Sequence, residues 1–82
     1  MSRPHSLSRY LSAHPDICGG RLVFRGTRIP ITTALEYLEA GLPIDDILKG
    51  FPSISRKAVQ AAIRYARLRL LQEEFIPLAK AA

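Results

Sequence analysis

Arg56, Gln60 and Arg64 recur at four-residue intervals, with Lys57 beside the first and Arg67 beyond the last. On a helix, that spacing stacks side chains along one face. The residue types suit nucleic-acid chemistry. A guanidinium can donate two parallel hydrogen bonds to guanine, a glutamine amide matches adenine, and an ammonium or hydroxyl can hold a phosphate without reading sequence. Ser55 adds a hydroxyl immediately ahead of the series, at a position suited to an N-cap. A solvated helix can carry the same basic face, so the position of this helix in the fold decides between the two readings.

A second dense stretch, Cys18 to Ile31, holds three of the five glycines together with Arg21, Arg25 and Arg28. Either the glycines and arginines cradle a phosphate, or the glycines form turns. The run Gly19-Gly20 followed by Gly26 lacks the G-x-G-x-x-G spacing and the Gly-Lys-Ser/Thr ending of nucleotide-binding loops. Gly26 instead suits a tight hairpin, and Pro30 suits the first position of a helix. The stretch therefore reads as scaffold, with Arg25 and Arg28 placed to touch a DNA backbone and set register. His14 has only Asp16 and Cys18 near it in sequence, and Cys18 has no visible base. No catalytic constellation, metal-ligand cluster or cofactor site is expected, and the chain does not read as an enzyme.

The elements that would position these residues follow in order. Residues 1–8 read as a flexible tail. Arg9 to Ala13 forms a short strand, stopped by His14-Pro15-Asp16. Leu22 to Phe24 forms another, onto which Thr27 to Ile29 folds back through Arg25-Gly26. Such a ribbon is marginal alone and would be completed across a dimer axis. Helix one carries Ile31, Ala34, Leu35 and Leu38 and closes at Gly41. Helix two follows Pro43, has Asp45 and Asp46 in its first turn, buries Ile44, Ile47 and Leu48, offers an Asp45–Lys49 pair, and ends at Gly50.

Helix three is capped by Ser55 and runs from Arg56 to about Glu74, with Val59, Ala62, Ile63, Ala66 and Leu70 facing the core. Leu68, Leu71 and Phe75 are then surplus to that core, and Ile76 and Leu78 extend the apolar character into a tail over 75–82. The expected fold is mainly α: a short N-terminal β-strand and hairpin, then a three-helix helix-turn-helix unit with a long third helix, in one domain over 9–74. In that geometry the amino-terminal half of helix three meets the major groove, so Ser55, Arg56, Lys57, Gln60 and Arg64 become contacts to DNA.

Composition agrees with an anionic partner. The 82 residues carry a net charge of +5, and the isoelectric point is near 10.0. A hydrophobic fraction of 48% is too high for a disordered body. One cysteine allows no internal disulfide framework, so a chain this small is expected to gain burial as a homodimer. With no membrane-length apolar run and no signal-peptide core at Met1 to Ser8, a soluble, cytoplasmic protein is expected.

The ordered series Asp16-Ile17-Cys18-Gly19-Gly20, Arg25-Gly26-Thr27-Arg28-Ile29-Pro30, Gly41 with Ile44-Asp45-Asp46-Ile47-Leu48, then Phe51-Pro52 and Ala58 to Ala66, resembles a family of short prokaryotic proteins. It is a former domain-of-unknown-function family, described as VapB-like antitoxins. The resemblance spans about Tyr10 to Ala66 and implies a homeodomain-like helix-turn-helix after a small strand pair. It further implies a PIN-like toxin nuclease that the antitoxin neutralises, and repression of the promoter they share. Pro43 departs from the Ser-type cap more usual there, which shifts the expected start of helix two. Leu68, Leu71, Phe75, Ile76 and Leu78 are the candidate toxin-docking residues, with closure of the dimer as the competing role. A stand-alone transcriptional regulator and a protein-interaction module that does not touch DNA are the other readings.

Overall fold

The computed structural model describes residues 9–72. The candidate contacts Phe75, Ile76 and Leu78, the expected helix end near Glu74, and the tails at 1–8 and 75–82 lie outside the described residues. Strand β1 (Leu11–Ser12) pairs antiparallel with β2 (Val23–Phe24), placing Leu11 opposite Phe24 and Ser12 opposite Val23. The strand expected over Arg9 to Ala13 is thus confined to its centre, because Arg9 and Tyr10 are helical.

Thr27 to Ile29 does not become a strand. A single bridge joins Val23 to Pro30, supported by Phe24 N–H donating to Ile29 O at 3.0 Å and Ile31 N–H donating to Leu22 O at 3.1 Å. The reason lies in Thr27. Its hydroxyl donates to Phe24 O at 2.8 Å and accepts Ile29 N–H at 3.0 Å, so side-chain bonds fold the segment locally. Strand β2 is consequently flanked on both sides within one chain, and its pairing does not require a second copy.

The turn between them has Thr27 N–H donating to Phe24 O at 2.9 Å. Gly26, at its third position, has φ +81°, the left-handed value a type II turn requires there. A Cβ on Gly26 would meet nothing within 4 Å, so the glycine is needed for backbone conformation and not for close approach. Arg25 closes the same corner: its N–H donates to Tyr10 O at 2.8 Å and its guanidinium donates to Leu11 O at 3.2 Å. Cys18 to Gly20 forms a 3₁₀ turn with positive φ at all three residues. The Cys18 thiol donates to Arg28 O at 3.1 Å and ties the two turns together.

Helix α1 (Ile31–Glu39) begins one residue later than expected, with Pro30 as its N-cap. It ends in a Schellman arrangement: Leu42 N–H donates to Tyr37 O at 3.1 Å and Gly41 N–H to Leu38 O at 3.0 Å, with Gly41 at φ +93°. Helix α2 (Ile44–Gly50) starts immediately after Pro43, with Asp45 and Asp46 in its first turn. Helix α3 (Arg56–Gln72) starts at Ser55, whose hydroxyl accepts Ala58 N–H at 3.1 Å. Seventeen residues give α3 a length of about 25 Å.

Helix α3 packs on α1, α2 and β1, and Phe24, Ile47, Val23 and Val59 are the largest fully buried side chains. The tilted rings of Tyr37 and Phe51, 5.7 Å apart, close α1 against the end of α2. The fold is the expected one: mainly helical, with a short N-terminal strand pair leading into three helices.

The buried face of α3 differs from the expected one. Ala58, Val59, Ala61 and Ala62 are buried, and Tyr65 and Leu68 pack against them. Ile63 and Leu70, expected in the core, are 40% and 69% exposed. Leu68, expected to be surplus, belongs to the packed side. Val59 and Ala62 are buried as expected. The rest of the packed side is made by Ala58 and Ala61 with Tyr65 and Leu68, in place of Ile63 and Leu70.

Candidate nucleic-acid interface

Turning Ala58, Val59, Ala61 and Ala62 inward leaves Lys57, Gln60, Arg64 and Arg67 exposed on the opposite side of α3. The three residues that recur every fourth position are therefore together on one outer face, as their spacing required, and the core packing fixes its direction. Ile63 lies among them. The sequence reading missed it as a surface residue, because a large β-branched side chain near Val59 and Ala62 was assigned inward.

Arg56 opens this face but is not free of the protein. Its guanidinium forms an ion pair and hydrogen bond with Asp45, in the first turn of α2. That contact bridges the starts of α2 and α3, and it involves Asp45 with α3 in place of the expected local pairing with Lys49. Both side chains are more than half exposed, so the pair contributes on the order of 0.2–1 kcal/mol and can be exchanged for another anion. Ser55 likewise has a structural duty, since its oxygen already accepts the Ala58 N–H.

The other end of the candidate surface lies at the amino terminus of α3. A shallow cleft there is lined by Arg9 and Arg25 from the β1–β2 corner and by Ser53, Ser55 and Ala58 from the entry to α3. Arg25 is thus brought to the helix that carries the basic face, while one of its guanidinium nitrogens binds Leu11 O. Arg9 joins it through the fold. Only its positive charge hinted at this in the sequence, where it reads as a strand residue. Arg28 is exposed between the Gly26 turn and α1 and does not line the cleft.

Apart from Asp45, which pairs with Arg56, the acidic residues of the helices make no ion pair with the basic face among the described residues. Asp45 and Asp46 occupy the start of α2, and Glu36 and Glu39 are exposed on α1. By contrast, the first turn of α3 contains no acidic residue and begins Arg56-Lys57. Lys57 there opposes the positive end of the helix dipole, at a cost of about 0.3–1 kcal/mol for an exposed charge, whereas the charge of Arg56 is offset by Asp45. Lys57 has no ion pair among the described residues.

His14 and Cys18 each make a contact that holds a turn. The His14 ring nitrogen accepts Asp16 N–H at 3.2 Å within its own turn, and Cys18 serves the turn contact to Arg28. Among the described residues no helix is long and apolar enough to cross a membrane.

At its far end, α3 exposes Leu70 and Leu71, the latter by 72%. Of the proposed toxin-docking residues, Leu71 is therefore on the surface, whereas Leu68 packs against the core.

Similarity to known proteins extends over most of the chain. A crystal structure of a DUF433 member protein from Anabaena variabilis ATCC 29413 superposes with a TM-score of 0.72 at 29% sequence identity, covering 83% of this chain and 67% of that one. The uncharacterized protein y4eO of Sinorhizobium fredii is 32% identical over 62 residues, or 76% of this chain. The match spans 28% of that protein's length. Residues 12–66 match the family described as "Protein of unknown function (DUF433)". On this evidence the chain belongs to the DUF433 family.

Proposed function

We propose that this chain is a DNA-binding antitoxin: a dimer that docks the amino-terminal half of α3 in the major groove of its own promoter and neutralises a PIN-like ribonuclease toxin. The observation that carries the DNA half is the shared exposed face of Lys57, Gln60, Arg64 and Arg67 on the third helix of a helix-turn-helix unit. Lys57 at the positive end of α3 adds to it. Its charge is unfavourable to the free helix and becomes favourable beside a phosphate.

Within this reading the residues divide by task. Gln60 and Arg64 read base edges, Lys57 and Arg28 hold phosphates, and Arg25 with Ser55 lines the cleft where the backbone would pass. Arg56 contributes only by leaving Asp45. The toxin half rests on the family resemblance and on the apolar surface at Leu70 and Leu71, since exposed patches mark partners. Dimerisation is part of the proposal and rests on the small size of the chain, because β2 is already flanked on both sides.

The test has two arms. A gel shift with the duplex upstream of the gene should show specific binding, weakened by Gln60→Ala more than random-sequence binding is weakened. Co-expression with the product of the neighbouring gene should yield a complex that Leu71→Asp disrupts. Failure of the first arm removes the DNA reading. Success of the first and failure of the second leaves a stand-alone regulator.

A further inference from the structure

We infer that Ile63 reads a thymine in the major groove by packing against its 5-methyl group. This rests on the DNA-binding reading above and adds a specificity-determining residue to it. Ile63 is 40% exposed, and its exposed neighbours over the first three turns of that face of α3 are charged or amide side chains, with Leu70 and Leu71 further along the helix. Gln60, Ile63, Arg64 and Arg67 stand at positions i, i+3, i+4 and i+7, the spacing of a single helix face.

The chemistry is specific. Thymine is distinguished in the major groove by its 5-methyl, and apolar side chains are the groups that contact it. Ile63 offers no hydrogen bond, so it adds nothing to a guanine or adenine edge. The flanking arginines supply the attraction that brings an anionic duplex to this aliphatic side chain. Ile63 stands outside the fully buried contact of α3, which is made by Ala58, Val59, Ala61 and Ala62, and leaves 40% of its surface open to a partner.

Replacing thymine by deoxyuridine removes only the methyl and leaves every hydrogen-bonding group in place, which makes the test independent of protein folding. The upstream duplex is footprinted with the parent protein, and each protected thymine is replaced by deoxyuridine in turn. At one position the parent should lose about fourfold in affinity, the factor expected for one buried methyl. Ile63→Ala should bind the thymine duplex more weakly by a similar factor and be indifferent to the replacement at that position.

Specific binding in which no deoxyuridine position separates the parent from Ile63→Ala overturns this inference and leaves the DNA reading intact. Absence of sequence-specific binding by the parent overturns both. A loss of dimer mass in Ile63→Ala by sedimentation, with deoxyuridine sensitivity retained, assigns Ile63 to a contact between copies and also overturns it.

Discussion

On one face of α3, Ala58, Val59, Ala61 and Ala62 are buried against α1, α2 and β1; on the other, Lys57, Gln60, Ile63, Arg64 and Arg67 are exposed. The fully buried positions are three alanines and Val59, and the exposed face is dominated by long polar and charged side chains. In the close-packed core each lost or added methylene is felt. Fold and proposed function therefore depend on different residues of the same helix, and substitutions should separate them.

The largest separation should come from Ile47, fully buried beneath α3. Ile47→Ala is expected to cost about 2–5 kcal/mol, a large share of the stability of a domain this size, measured by denaturant unfolding. Arg64→Ala should change stability by no more than about 0.5 kcal/mol while weakening DNA binding. Comparable losses of stability in both variants would break the division between the faces.

Ser55 stands at the border, since its hydroxyl caps α3 and lines the cleft. Ser55→Ala should cost about 1 kcal/mol, lowering the melting temperature by about 4–8 °C for a domain of this size. Ser55→Asp would preserve the cap while placing a carboxylate where a phosphate is proposed, so it should keep stability and lose DNA affinity.

The smallest stability effect belongs to the exposed Asp45–Arg56 pair. Asp45→Asn should cost less than about 1 kcal/mol and strengthen DNA binding, because it removes an anion from the rim and releases the Arg56 guanidinium. Binding that weakens instead would show that Arg56 acts by bracing α2 against α3.

Much of this arrangement is legible in local chemistry. Ser55 announces the start of α3, Gly41 the end of α1, and Pro43 with Asp45 and Asp46 the start of α2, because each satisfies or complements the end of its own helix. The four-residue recurrence of Arg56, Gln60 and Arg64 similarly guarantees a common face. The direction in which α3 faces is not local. Ranking by hydrophobicity places Ile63 and Leu70 inward, yet the packing of α3 on α1, α2 and β1 buries Ala58 and Ala61 with Val59 and Ala62.

The Arg25-Gly26-Thr27 run shows the same limit. Its glycine signals a turn, but nothing in its spacing says that the Thr27 hydroxyl would take the bonds of a second strand. Nor does it say that the Arg25 guanidinium would reach back to Leu11 O, which depends on a strand far earlier in the chain.

The central claim, that the outer face of α3 meets DNA phosphates and bases, is tested most directly by the salt dependence of binding. Affinity for the upstream duplex should be measured across a range of salt concentrations for the parent and for the Lys57→Ala/Arg64→Ala variant. The parent should lose affinity with a log–log slope of about 0.9 per phosphate neutralised. The variant should show a shallower slope, reduced by about 0.9 for each phosphate contact removed, with its thermal stability near that of the parent. Equal slopes and affinities for the two proteins, or no DNA binding by either, would contradict the account.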